Sequence, residues 1–209
     1  MAAPKKEVDT ESRILDAAHR VFLREGTSGA RMQEIANEAG VNKALLHYYF
    51  QNKQRLADAV FLRVVRNLFP AVQQIFESDQ PFEDKVRAFV ASEFDTMDAN
   101  PYMPGYVISE LQQQPGRIKA LLESSGPPPL DAIQGSLDKE IAAGRYHPIT
   151  AADFFLTALS LILYPYAARP GVTMLTEMNG ESLDAMFARR REMTAEWLLR
   201  MVRKSSSEP

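Results

Sequence analysis

Apolar residues recur with helical period along almost the whole chain, and no convincing apolar–polar alternation of strand type interrupts them. Glu11 to Glu25 puts Ile14, Ala18, Val21 and Phe22 on one face, and Gly26 stands where that helix should end. From Met32 to Ala39, Met32, Ile35, Ala36 and Ala39 fall at i, i+3, i+4 and i+7, so a second, short helix has one apolar face. Gly40 can take the left-handed conformation that closes a helix. Val41 can pack back into the angle, and Asn42 has the side-chain oxygen to cap a third helix, Lys43 to Tyr49. That helix would turn Leu46, Tyr49 and Phe50 inward and Lys43, His47 and Tyr48 outward. A helix, a tight glycine turn and a second short helix form the helix-turn-helix pattern, whose second helix can enter a major groove.

Gln51-Asn52 makes a short turn into a long helix from Lys53, where Leu56, Val60, Val64 and Leu68 recur every fourth residue. Pro70 should kink or end it, because proline lacks the amide proton and clashes with the preceding turn. Helical pattern resumes through Val72, Ile75 and Phe76. The next helix, Phe82 to Met97, carries Phe82, Val86, Phe89, Val90, Phe94 and Met97 inward. Asn100-Pro101 and Pro104-Gly105 punctuate the approach to a short helix from Tyr106 to Gln113, and another spans Arg117 to Glu123. After Gly126-Pro127-Pro128-Pro129 come helices from Leu130 to Ala143 and from Ala151 to Ala168. Residues 168–182 read as a loop before a last amphipathic helix, Leu183 to Val202. The pattern predicts an all-α chain: a helix-turn-helix domain over 1–52 whose residues 1–9 form a flexible arm, a helical bundle over 53–204, and a disordered polar tail over 205–209.

Composition narrows this only a little. Hydrophobic residues at 45% and charged residues at 24% are ordinary for a globular protein. The chain has no cysteine, so disulfides and thiolate ligands or nucleophiles are excluded. MAAPKKEVDT has no apolar core after its lysines and is not a secretory signal. Phe154 to Ala168 is uncharged but shorter than the ~20 residues of a membrane span. A helix that is apolar all round at that length belongs in a core or a subunit interface, so a cytoplasmic protein that spans no membrane is expected. The net charge of −3 divides unevenly, +3 over residues 1–69 and −6 over 70–209, as suits a nucleic-acid module joined to a body that stays off nucleic acid. His19, His47 and His147 lack ligand-like spacing, and no P-loop, dinucleotide or Ser/His/Asp motif is present, so no metal, cofactor or enzyme activity is expected.

The run RMQEIANEAGVNKALLHYYFQNKQRLADAVF, Arg31 to Phe61, resembles the DNA-binding segment of the tetracycline-repressor-like (TetR/AcrR) transcriptional regulators. The matching elements are Ile35-Ala36, Ala39-Gly40-Val41, Tyr48-Tyr49-Phe50, and Lys53 with Leu56. ILDAAHRVFLREG, Ile14 to Gly26, is similar to the family's first helix, so the likeness is close over about residues 10–65. It implies a homodimeric, ligand-responsive regulator, most often a repressor, that binds a palindromic DNA operator. The helices near 151–168 and 183–202 would form the dimer interface, and a small-molecule effector would occupy a central cavity. Arg31, Leu45 and His47 depart from the family's usual Thr or Ser, Thr or Ser, and Tyr. Leu45 and His47 leave a rival reading: a sensor or interaction module of the same fold that does not bind DNA specifically.

Within that reading Gln33 and Lys43 are the candidate base readers, since an amide and an ammonium suit adenine and guanine edges. Asn42, His47, Tyr48 and Lys53 would hold phosphates, Arg31 could point at one, and Leu45 offers apolar contact to a thymine methyl. Lys5 and Lys6 are candidates for an arm reaching a neighbouring groove. Arg189-Arg190-Arg191 reads instead as a solvated or salt-bridged rim. For the effector, Phe89, Phe94, Met97, Tyr102, Met103, Tyr106 and Tyr164 form the candidate lining for an apolar or aromatic molecule, and Glu110 could orient its polar end.

Overall fold

The helical period is realised as eleven helices among the described residues: α1 (Lys5–Gly29), α2 (Met32–Ala39), α3 (Lys43–Phe50), α4 (Lys53–Glu77), α5 (Phe82–Ala99), α6 (Met103–Gln113), α7 (Pro115–Ser124), α8 (Leu130–Ala142), α9 (Ala151–Ala167), α10 (Arg169–Met178) and α11 (Leu183–Val202). The computed structural model describes residues 5–113, 115–124 and 126–204, the side chains of 5–8, 65, 67, 110, 111, 117, 118, 121, 122 and 124 excepted. Extended pairing among them is limited to one isolated antiparallel bridge, Tyr146 with Arg203. The fold is all-α.

The described residues of 1–66 and 100–125 form one compact unit, and those of 67–99 and 126–209 form the other. This division is not the one expected at 52/53. The first half of α4 joins the N-terminal helices, and so does the proline-punctuated segment that carries α6 and α7. The break within α4 falls at Arg66, whose carbonyl is the one Pro70 cannot serve, since proline has no amide proton to return to position i−4. The helix nevertheless continues through Pro70 to Glu77, where the sequence predicted a kink or an end.

In the first unit α1 packs on α2 and α2 on α3. Ile14, Ala18, Val21, Phe22, Ile35 and Leu46 are all buried, as the period requires. The Tyr102 ring stands edge-on to Phe22, and Tyr106 packs at a tilt on Phe61. Two expectations change here. The helix begins at Lys5, so residues 5–9 of the expected arm are helical, while 1–4 lie outside the described residues. Gly26, at φ 67° and ψ 168°, interrupts α1 as expected, but one further turn follows it to Gly29.

In the second unit Val72 and Phe76 of α4 join α5, α8, α9 and α11 around a single apolar cluster that includes Phe89, Phe94, Leu137, Phe154, Ile162 and Leu198. Lys85 is buried here, and its ammonium donates to the Phe76 carbonyl at 2.8 Å and to Ser136 Oγ at 3.2 Å. A cation is thereby set on the last turn of α4, where helix carbonyls lack partners. Burial pushes that ammonium below its ordinary pKa. The stretch 168–182, expected as a loop, holds α10: Pro170 sits in its first turn, where a missing amide proton costs nothing. The tail at 205–209 lies outside the described residues. No single described helix is long and apolar enough to cross a membrane; α9 and α10 together have the length but meet at a 79° bend.

Candidate nucleic-acid interface

The corner between α2 and α3 is closed by backbone hydrogen bonds that only a left-handed residue permits. Gly40 has φ 64° and ψ 35°; its amide donates to the Asn37 carbonyl at 3.1 Å, and the Val41 amide donates to Ala36 at 3.0 Å. This is the Schellman pair of bonds, which satisfies two carbonyls at the end of α2. Arg13 of α1 donates from Nη2 to the next carbonyl, Ala39, at 2.8 Å. A Cβ at position 40 would stand 3.3 Å from that nitrogen. The turn is thus held both from within the chain and from the neighbouring helix.

Both ends of α3 are also fixed. Asn42 Oδ1 accepts from the Leu45 amide at 2.8 Å, as an N-cap should. At the other end Gln51 adopts φ 55° and ψ −48°, and the Asn52 amide donates to the Phe50 carbonyl, closing a γ-turn of the rare positive-φ kind. His47 Nδ1 lies 2.7 Å from the Gln51 carbonyl. A carbonyl can only accept, so Nδ1 carries the proton and braces this strained residue. Asn52 Oδ1 then accepts from the Arg55 amide at 2.9 Å and starts α4. Gln51 and Asn52 are the whole connection, so the direction of α3 is set against α4 by one turn.

Held this way, α3 buries Leu46 and Phe50, leaves Tyr49 half-buried, and exposes Lys43, Leu45 and Tyr48, the phenol being 75% accessible. Asn42, Gln33 and Arg31 are exposed as well. Arg31 occupies the N-cap of α2 and makes no side-chain capping bond. Gln33 donates one amide hydrogen to Asn37 Oδ1 at 2.9 Å. Neighbouring cations are tied down: Arg20 pairs with Glu38 at 2.7 Å, and Arg24 with Glu34 at 3.0 Å. Arg31 and Lys43 have no ion pair among the described residues. The exposed set therefore offers cations, amide donors, a phenol and an apolar tip. These are the groups that hold phosphates and read base edges.

Residues 14–60 match the model of the bacterial regulatory proteins of the tetR family. The chain is similar to the HTH-type transcriptional activator FasR of Mycolicibacterium smegmatis, with 36% identity over 90 residues, 43% of this chain and 41% of that protein. It is also similar to the HTH-type nicotine-responsive transcriptional repressor HdnoR of Paenarthrobacter nicotinovorans, 30% identical over 73 residues, 35% of this chain and 38% of that protein. The chain thus spans about two fifths of the length of the curated relatives it matches. Among solved structures, a transcriptional regulator of the TetR/AcrR family from Thermobifida fusca superposes with a TM-score of 0.63 over 90% of this chain and 97% of that one, at 16% identity. The family likeness thus rests on residues 14–60, and the chain as a whole shares the fold of TetR-family structures.

Some of the other residues singled out in the sequence sit differently from expectation. Lys53, read as a phosphate contact, donates to the carbonyls of Ser28 at 2.7 Å and Ala30 at 3.1 Å, so it clamps the end of α1. Arg189 pairs with Glu181, and Arg191 with Asp95 and Asp98, as a rim would. Arg190 instead is half-buried, donating to the Leu161 carbonyl at 2.7 Å with its guanidinium over Trp197.

The expected effector lining is divided. Phe89, Phe94 and Met97 are buried in the second unit's core, and Tyr164 is 66% exposed on α9. Tyr102, Met103 and Tyr106 belong to the first unit, with Met103 and Tyr106 buried. There Tyr102 and Tyr106 border a cleft of ≈ 550 Å³ whose other walls include Ser28, Lys53, Gln54 and Ser109. Their hydroxyls are engaged: Tyr102 lies 2.8 Å from His19 Nδ1, and Tyr106 donates to Asp58 at 2.6 Å while accepting from Gln54 at 3.2 Å. Burial raises the Tyr102 phenol above its usual range and lowers the His19 imidazole, so both are neutral partners at pH 7. The Glu110 side chain lies outside those described. Arg13 was not legible as a site residue, because its role depends on an approach across 26 positions of sequence.

Proposed function

We propose that this chain is a DNA-binding transcriptional regulator, a homodimeric repressor that leaves a palindromic operator when a small molecule binds its helical body. The observation that carries the reading is the α2–α3 corner. A left-handed glycine, a capped recognition helix and a braced exit turn hold Lys43, Leu45 and Tyr48 at an exposed face, within the segment that matches the family. Gln33 and Lys43 read base edges, and Arg31, Asn42, His47 and Tyr48 hold phosphates. Among the named relatives one is an activator and one a repressor, so repression is tested by in vitro transcription with and without the protein.

Dimerisation is supported by what the second unit leaves uncovered. Leu156 and Tyr164, eight residues apart on one face of α9, are 65% and 66% exposed, and Met193 and Met201 repeat that spacing on α11 at 40% each. Apolar stripes of this kind mark interaction surfaces. A Leu156→Glu variant places a charge in the stripe and should shift the protein from dimer to monomer in light scattering. An unchanged dimer would exclude α9 from the interface.

DNA binding is tested by titrating labelled, tiled fragments of the chain's own promoter region. Tight binding to some fragments and weak binding to the rest supports the regulator. Uniform weak binding leaves a sensor or interaction module.

A further inference from the structure

The inward face of α5 runs Phe82, Val86, Phe89, Val90, Phe94 and Met97, and the same helical spacing places position 93 on it, four residues after Phe89 and four before Met97. That position is Glu93. Its side chain is 1% exposed, and neither carboxyl oxygen has a hydrogen-bond partner. Lys85, two turns earlier on the same helix, is equally enclosed yet donates to Phe76 and Ser136. This unit satisfies its buried ammonium and leaves its buried acid open. A position needed only to fill volume is better served by Leu or Met, which pack without desolvating a polar group.

Burial alone lifts the Glu93 pKa to about 7, with no charged neighbour contributing. Among the described residues no lysine or arginine therefore compensates the carboxylate. Its surroundings on α5, Phe89, Val90, Phe94 and Met97, are apolar and aromatic. A molecule that suits this position brings its own cation and a greasy body. An ammonium fits better than a hydroxyl, because it carries full charge and several donors to offer the two oxygens, whereas a carboxylate would be repelled.

We propose that Glu93 is the polar anchor of the effector site in the second unit, and that the effector is a protonated amine on an apolar or aromatic body. This rests on the reading that the unit binds an effector, and it names the chemical class.

The test uses the full chain and isothermal calorimetry, with Trp197, the only tryptophan, as a fluorescence reporter in the same unit. Three amines of different body size, phenethylamine, tryptamine and octylamine, are compared with phenethyl alcohol and octanol as neutral counterparts and with hydrocinnamate as an acid. The expected result is that at least one amine binds more than about tenfold tighter than its neutral counterpart. Glu93→Gln should cost that amine at least about tenfold while changing the neutral compound by less than about twofold. Glu93→Leu, which removes the polar group without loss of packing volume, should behave as Glu93→Gln does and guards against a folding defect. Amines bound equally by wild type and both variants would overturn the assignment of Glu93. Neutral or acidic probes that bind while every amine is silent would overturn the amine class and leave the effector reading standing. Silence of all six probes to millimolar concentration would overturn both.

Discussion

An acid held in an apolar core makes folding depend on pH in a direction opposite to that of an ordinary salt-bridged carboxylate. Glu93 is raised from 4.5 to about 7 by burial. Between those values the native chain keeps a proton that the unfolded chain releases, so stability falls as pH rises. The stabilising proton is fully present below pH ~4.5 and is lost as pH passes through ~7. A shift from 4.5 to about 7 at 1.36 kcal/mol per unit amounts to about 3 kcal/mol. That is a large part of a typical net stability of ~5–15 kcal/mol. Glu93→Gln cannot ionise. The difference in stability between variant and wild type should therefore move in the variant's favour by about 2–3 kcal/mol from pH ~5 to ~8. Urea unfolding at fixed protein concentration, followed by circular dichroism at several pH values in that window, reads the difference directly. A difference that does not change with pH, or that moves toward wild type as pH rises, would refute the reasoning.

Two further predictions concern the first unit. Gly40→Ala forces a Cβ into a left-handed residue and against Arg13, and should cost about 1 kcal/mol in thermal or urea unfolding; an unchanged midpoint would mean the corner is less constrained than described. Lys53→Gln removes the clamp on Ser28 and Ala30 and should lower stability by about 1 kcal/mol, leaving the slope of log affinity against log salt unchanged. A slope reduced by about 1 would restore Lys53 as a phosphate contact.

The sequence made the helices legible because period and capping are local. Ile14, Val21, Ile35, Leu46, Phe89 and Phe94 are all buried where spacing placed them. Gly40 and Asn42 do in the structure what their chemistry suggests. Punctuation residues misled in two places. Pro170 reads as a loop signal but is at home in the first turn of a helix, and the prolines around 101–104 concealed that Tyr102 and Tyr106 pack with Phe22 and Phe61. The Lys53 clamp was not legible because its partners lie 23 and 25 residues away, and nothing local distinguishes a clamp from an exposed cation. Glu93 did carry a signal. An acid on the i, i+4 row between Phe89 and Met97 conflicts with that face, and such a conflict of local chemistry with burial often marks function.

The central claim is that α3 reads DNA from the corner built around Gly40. The measurement that tests it most directly is fluorescence-anisotropy titration against tiled promoter fragments at two salt concentrations, for wild type, Lys43→Ala and Tyr48→Ala. The account predicts fragment-selective binding that weakens steeply with salt. Loss of Lys43 should reduce selectivity by about 1–3 kcal/mol, and loss of Tyr48 should weaken all fragments alike. Binding no tighter than to random DNA, and indifferent to both substitutions, would contradict it.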